Sequence, residues 1–181
     1  NIVLGLAAPS ATPHLDMAVM ELVTSVGTPT KNILEASVSN GGFGVMRVHP
    51  ETRTLVAVYP TSPPTSVKAA RVPFANGAFT YASVALTTIK TGLTDAQRSH
   101  GLTILQDSRW LAVFVDNGTT LYWTYSSNDG VTWGTPSSLA ITNCHTLKLA
   151  LAGEIPVIAY SALVGTPALK LRALNVNATT W

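Results

Sequence analysis

The sequence predicts an all-β fold, and three observations support this prediction. Short apolar stretches alternate along the chain, as in residues 119–126, where Leu121, Trp123 and Tyr125 are expected to share one face of a strand. Clusters of Asn, Asp, Ser and Gly separate these stretches and provide turns. Similar segments then recur after about 40 to 55 residues, with four strand patterns in each unit, and this period is typical of antiparallel β-propeller blades.

The repeat is clearest in three apolar segments at the centres of successive units: residues 55–59, 110–114 and 156–160. Each segment has a strand pattern before it and another after it. Aromatic residues close the units at matching positions: Phe79, Trp133 and Trp181. Because adjacent blades pack face to face, we expect such a side chain to fill the wedge between them, and Trp133 is predicted to be buried there.

These repeats predict one β-propeller segment over residues 1–181, incomplete at both ends. Its units are a partial blade, two blades and a second partial blade: residues 1–36, 44–89, 101–141 and 146–181. An open run of blades exposes sheet edges and an unclosed core. We therefore expect further blades to come from additional chain or from a partner subunit.

Residues 16–26 leave two alternatives open. Met17 and Met20 are compatible with a helix, whereas Val26 and the Gly-Thr-Pro sequence after it favour a strand followed by a turn. We predict the strand.

The turn after residues 119–126 carries a specific motif. Its order, Ser126-x-Asn128-x-Gly130-x-Thr132-Trp133, resembles the Asp-box, or BNR repeat, of sialidase-like β-propellers. The family pattern has Asp where this chain has Asn128, which retains an acceptor but lacks the charge. The resemblance implies that these residues are structural and lie opposite the ligand-binding face.

In a propeller of this kind, the ligand-binding face is formed by loops that join outer strands to the next inner strand and second strands to third strands. The richest loop, residues 90–100, holds four candidate ligand-binding residues: Lys90, Asp95, Arg98 and His100. His145 is predicted to occupy the place of His100 in the next unit. The two histidines could bind an anion, a sugar hydroxyl or a metal, or could simply be loop residues at strand starts. No third metal ligand is evident, so we predict neither a metal nor a cofactor.

The resemblance also allows sialidase chemistry to be tested against the sequence. That family clamps a carboxylate with three arginines and uses a tyrosine–glutamate pair with an acid/base aspartate. Arg71-Val72-Pro73 is loosely similar to the family's Arg-x-Pro motif, but Arg71 is predicted on a third strand rather than an inner one. Only Glu51 and Glu154 follow the first unit, at turns predicted for the opposite face. No catalytic residue is assigned, and the prediction leans away from an enzyme.

Composition limits the partners. A net charge of +2 without a basic cluster gives no footprint for nucleic acid, and no apolar run approaches the ~18 residues of a membrane span. The single cysteine, Cys144, excludes an internal disulfide. Asn117 and Asn177 lie in sequons and are possible N-glycosylation sites, which favours a secreted, extracellular or virion-surface location.

Two functions are compatible with this sequence. The favoured one is a non-enzymatic extracellular or virion-associated module for glycan or protein recognition or for structural assembly. The alternative is a sialidase-like glycoside hydrolase, an exo-sialidase, whose remaining site residues lie outside these residues.

Overall fold

A computed structural model of the chain describes residues 2–6, 15–20, 30–35, 44–96, 99–162 and 168–174. Within these ranges the regular structure is β, apart from one turn of 3₁₀ helix at Tyr81–Ser83. Two of the sheets have four strands, and all neighbouring strands in the sheets are antiparallel. The predicted all-β fold with four-stranded antiparallel sheets is confirmed.

The first sheet consists of β1 (Ile2–Leu6), β2 (Leu15–Met20) and β3 (Thr30–Glu35), in that order. Strand β2 pairs with both neighbours. The strand prediction for the segment 16–26 is therefore confirmed as far as residue 20, and the rest of that segment lies outside the described residues.

The second sheet contains an inserted hairpin. Its strands are β4 (Val45–Val48), β5 (Leu55–Pro60), β6 (Val67–Val72) and β9 (Ala85–Lys90), and the hairpin is β7 (Phe74–Ala75) with β8 (Ala78–Phe79). The sequence pattern predicts the outer strand of this unit over residues 79–87, but the strand begins at Ala85. Phe79 instead pairs with Phe74, because Asn76 and Gly77 both adopt positive φ and close a tight hairpin turn.

Among the described residues, the third sheet has four strands and the fourth has three. The third has β10 (His100–Ile104), β11 (Trp110–Asp116), β12 (Thr120–Ser126) and β13 (Ser137–Ala140); the fourth has β14 (Cys144–Ala152), β15 (Ile155–Ala162) and β16 (Ala168–Ala173). In each sheet the strands are ordered as in the chain. A bulge interrupts the pairing of β14 with β15 between Cys144 and Thr146.

The central strand of the third sheet is buried on both faces. One face contributes Trp110, Ala112 and Phe114 to an apolar cluster shared with β5, β6 and β9 of the second sheet. The other face contributes Leu111, Val113 and Val115 to a cluster shared with β14 and β15 of the fourth sheet. This strand therefore lies between two sheets that pack against it face to face.

The aromatic residues around the third sheet divide between the same two clusters. Trp123 belongs to the cluster facing the fourth sheet, whereas Tyr122 packs on the cluster facing the second sheet, as the alternation in the sequence predicts. Trp133 is half-buried against the cluster between the second and third sheets. Burial of an aromatic ring of this size contributes about 2 kcal/mol to stability. Trp181 lies outside the described residues.

The inner strands of the third and fourth sheets approach each other closely at Gly101. A Cβ added there would lie 2.6 Å from Cβ of Leu149. We expect Gly101→Ala to lower the free energy of unfolding by about 2 kcal/mol, because two backbones must move apart to admit the methyl group. Urea denaturation of the variant measures this loss.

Gly134→Ala provides the matched control, since a Cβ there would meet no atom closer than 3.6 Å. Equal losses for the two variants would contradict the close contact between β10 and β14.

None of the segments that the structure describes forms a helix with the length and hydrophobicity needed to cross a bilayer.

Candidate functional site

The turn formed by residues 126–133 is closed by its own side chains. The Ser126 hydroxyl accepts a hydrogen bond from the Gly130 amide at 2.9 Å and donates to Asn128 Oδ1 at 3.0 Å. Asn128 Oδ1 also accepts from the Thr132 amide at 2.9 Å, and Asn128 Nδ2 donates to the Thr132 hydroxyl at 2.7 Å. These polar groups are used within the turn, and its shape follows from them.

Asp129, which is outside the sequence motif, connects this turn to the second sheet. Its carboxylate accepts hydrogen bonds from the hydroxyls of Thr52 and Thr54 and, at 3.2 Å, from the buried indole Nε1 of Trp110. Arg71 donates from Nε to the Asp129 carbonyl oxygen at 2.9 Å and from its terminal nitrogen to the carboxylate at 3.3 Å. Asp129 is thus the hub of a polar network between two sheets, and Arg71 has a structural partner there.

Ionisation of Asp129 is favoured by this network. Burial of the carboxylate raises its pKa, but the hydrogen bonds from Thr54, Trp110 and Thr52 and the charge of Arg71 outweigh burial, so the pKa is lower than usual. The network therefore contributes stability that is complete above the ordinary carboxyl pKa of about 3.9. This contribution is lost as the pH falls through the lowered pKa of the folded protein.

Residues 90–96 of the loop 90–100 lie on the face opposite this turn and pack against neighbouring segments. The backbone amides of Thr94 and Asp95 donate to Oδ1 of Asp116 at 2.9 and 2.8 Å, and the Asn117 amide donates to the Asp95 carbonyl oxygen at 2.8 Å. Leu93 and Ala96 of the same loop are buried. Residues 93–96 are therefore held by the β11–β12 turn and, through the amides of Leu93 and Ala96, by the loop between β5 and β6.

The predicted ligand-binding residues of this loop have different environments. The Lys90 ammonium lies 5.5 Å from the centre of the Tyr122 ring, which in turn stacks on Phe114. Arg98 lies outside the described residues. His100 is the first residue of β10, is only 9% exposed and pairs with Phe114.

His100 and His145 do not occupy equivalent places, so that part of the sequence prediction is wrong. The residue opposite Tyr160 of β15 is Leu147, and this position corresponds to that of His100 opposite Phe114. His145 is the extra residue of the bulge in β14 and is exposed. The bulge shifts the pairing register of β14 with β15 by one residue, and no local sequence signal predicts this shift.

A channel of about 410 Å³ runs along the three inner strands β4, β10 and β14. Its polar lining side chains are Arg47, Ser99, His100, Thr146 and Lys148. Arg47 and Lys148 are exposed, and no carboxylate is among the described residues of this lining. The channel is therefore positively charged and favours an anionic group. In the parts of the chain that the structure covers, no three metal-binding side chains cluster.

A larger cavity, of about 670 Å³, opens at the other end of the same inner strands. Its walls come from the β4–β5 turn, the β10–β11 turn and the β14–β15 turn. Glu51 and Glu154 line it, as do Arg47 and the buried His49. The two glutamates lie on the face predicted from the sequence, opposite the loop of residues 90–100.

The stacked antiparallel sheets have the architecture of β-propeller blades. Among solved structures, the chain is similar to a mutant of the NanB sialidase from Streptococcus pneumoniae, with a TM-score of 0.58 and 12% sequence identity. The match covers 93% of this chain and 27% of the sialidase chain, so the chain spans about a quarter of that protein. No protein-family model and no curated protein matches the sequence. The sialidase-like fold predicted from the 126–133 motif is confirmed.

Proposed function

We propose that this chain is a non-enzymatic β-propeller module that recognises an anionic glycan in the channel along β4, β10 and β14. The observation that carries the proposal is that Arg47 and Lys148 both line a channel whose lining also includes His100 and Thr146. A guanidinium binds a planar carboxylate in a bidentate manner, and an ammonium adds a second positive charge. Hydroxyl and imidazole groups beside them can bond to sugar hydroxyls.

The rigidity of the channel supports recognition. The buried Ser99 hydroxyl accepts a hydrogen bond from the Leu147 amide at 2.8 Å, which fixes the start of β10 against β14. The Thr146 hydroxyl is held 2.8 Å from that of Ser161. Because the backbone of the channel is held in this way, little conformational entropy is lost when a ligand binds.

Titration calorimetry with 3′-sialyllactose, and with lactose as the neutral counterpart, tests this proposal. We expect only the acidic sugar to bind, and we expect Lys148→Ala to weaken its binding about tenfold because one of two cationic partners is removed. Lys170→Ala is the matched control, since Lys170 is an exposed lysine of β16 that does not line the channel. Equal binding of lactose, or equal effects of the two substitutions, would overturn the proposal.

The same proposal assigns an Asp-box role to Ser126, Asn128, Gly130, Thr132 and Trp133. Its support is the set of hydrogen bonds that closes the turn, together with the packing of Trp133 between two sheets. In this assignment the turn joins blades and has no contact with the ligand.

Further blades, from additional chain or a partner subunit, belong to the proposal as well. The support is the outer face of the fourth sheet, where Leu169 and Leu171 are 74% and 67% exposed. On β11 of the third sheet, both faces are covered by neighbouring sheets. An apolar sheet face of this kind is normally covered by a further layer.

An extracellular or virion-surface location completes the proposal. Asn117 is exposed at the tip of the β11–β12 turn, with φ of 47°, and its side chain is accessible for N-glycosylation. Asn177, the other sequon residue, lies outside the described residues.

A sialidase-like glycoside hydrolase is the second candidate, and its support is the likeness in fold to the pneumococcal sialidase. This function requires an acid and a nucleophile beside the anionic sugar, and the rest of that site would come from chain beyond these residues. Turnover of a fluorogenic sialoside that disappears in both Arg47→Ala and Arg98→Ala would establish the hydrolase and contradict the binding module.

A further inference from the structure

The cavity at the other end of the inner strands contains features that the proposed glycan site does not use. Its volume of about 670 Å³ is within the usual range for small-molecule sites. Ile104, Leu105 and Leu151 provide an apolar part of its surface, and Leu151 is exposed. An apolar surface bordered by a few polar groups is the usual make-up of a ligand pocket.

A buried imidazole, that of His49, lines this cavity. His49 is only 3% exposed, and its Nδ1 accepts hydrogen bonds from the amides of Glu51 and Thr52 at 3.2 and 3.3 Å. Since Nδ1 is an acceptor, the proton of this imidazole is on Nε2. An imidazole N–H at a cavity wall can donate a hydrogen bond to an acceptor atom on a ligand.

Charges of opposite sign lie on different walls. Arg47 and His49, at the end of β4, present donors from the second sheet. Glu154, in the β14–β15 turn, presents a carboxylate from the fourth sheet, and Glu51 adds a second carboxylate at the rim. Neither glutamate has an ion-pair partner among the described residues. The third sheet, with Ile104 and Leu105, lies between these two walls.

We infer that this cavity binds an amino-acid-like zwitterion with an apolar side chain. The carboxylate of the ligand accepts hydrogen bonds from Arg47 and from Nε2–H of His49, and its ammonium group binds Glu154. The side chain packs on Ile104, Leu105 and Leu151. This site shares Arg47 with the proposed glycan channel and otherwise uses different residues.

Three probes of matched shape test this inference with the full 181-residue chain: L-leucine, 4-methylpentanoate, which lacks the ammonium group, and 3-methylbutylamine, which lacks the carboxylate. We expect titration calorimetry to give leucine a dissociation constant about tenfold lower than that of either single-charge probe. Glu154→Gln should weaken leucine and the amine about tenfold and leave 4-methylpentanoate unchanged, because only the ammonium contact is removed.

A crossed control separates the two sites. Lys148 lines only the channel, so Lys148→Ala should leave leucine binding unchanged. Glu154 lines only the cavity, so Glu154→Gln should leave 3′-sialyllactose binding unchanged. Glu154 is exposed, and thermal unfolding verifies that the variant folds. Glu51→Gln supplies a second test at the same cavity.

The inference is overturned if no probe binds at about 10 mM, if a single-charge probe binds as well as leucine, or if neither glutamate substitution weakens leucine binding.

Discussion

We expect Asp129→Asn to lower the free energy of unfolding by about 3 kcal/mol at neutral pH, because the substitution removes the charged acceptor that the donors of Thr52, Thr54, Trp110 and Arg71 share. Asparagine tolerates the positive φ of 59° at this position, so the backbone conformation is retained. Its amide nitrogen, however, is a donor and would face the hydroxyl of Thr54 or the guanidinium of Arg71. Chemical denaturation at pH 7 measures the loss.

The pH dependence of the same variant adds a second readout. Because the pKa of Asp129 is lowered in the folded protein, the wild-type network is complete at neutral pH and is lost as the pH falls below about 4. The difference in stability between wild type and variant should therefore shrink in acid.

Asp107→Asn is the control for charge removal as such. Asp107 pairs with Arg109 at 2.7 Å, but these side chains are 52% and 35% exposed, against 22% and 23% for Asp129 and Arg71. An exposed ion pair contributes at most about 1 kcal/mol. A loss at Asp129 no greater than that at Asp107 would contradict the role of Asp129 as a link between sheets.

Gly130→Ala is the second substitution with a large expected effect, again about 3 kcal/mol. Gly130 has φ of +81°, where a residue with a Cβ is strained, and the new Cβ would lie 2.7 Å from Cγ2 of Val56 on β5. Val56 is fully buried in the cluster between the second and third sheets and has no room to move away. Urea denaturation of the variant provides the measurement.

Gly77→Ala separates the two causes. Gly77 has φ of +84°, but a Cβ there would meet no atom within 4 Å, so this variant reports the backbone strain alone, about 1 kcal/mol. The excess loss at Gly130 then measures the contact between the 126–133 turn and β5. If both variants lose the same stability, the turn does not pack on Val56 as described.

The strand pattern could be predicted from the sequence because burial in this fold follows the period of the strand. Trp110 and Leu111 are neighbours in the chain, yet they pack into clusters on opposite faces of the third sheet. Alternating apolar residues predict a strand with one buried face, and continuous apolar runs predict a strand buried on both faces. The sequence pattern predicts the outer strand of the second sheet too early, because Phe79 has the aromatic character of a strand residue but belongs to a separate hairpin closed by the Asn76–Gly77 turn.

The network around Asp129 could not be predicted for a different reason. Its partner Arg71 is 58 residues away and Thr52 is 77 residues away, and local patterns do not fix which turn of one sheet meets which strand of the next. The same limit applies to the cavity of about 670 Å³, whose lining comes from turns of three sheets. The bulge at His145 likewise changes register without altering composition.

The second and third sheets form one packed unit, in which the turn of residues 126–133 of the third sheet contacts the second sheet. A double-mutant cycle between Arg71→Gln and Asp129→Asn, measured by chemical denaturation at pH 7, tests it most directly. Residues in direct contact are coupled by about 1 to 2 kcal/mol, and we expect a value in this range for these two. Strictly additive losses would mean that the second and third sheets are not joined through this pair, and would contradict the account.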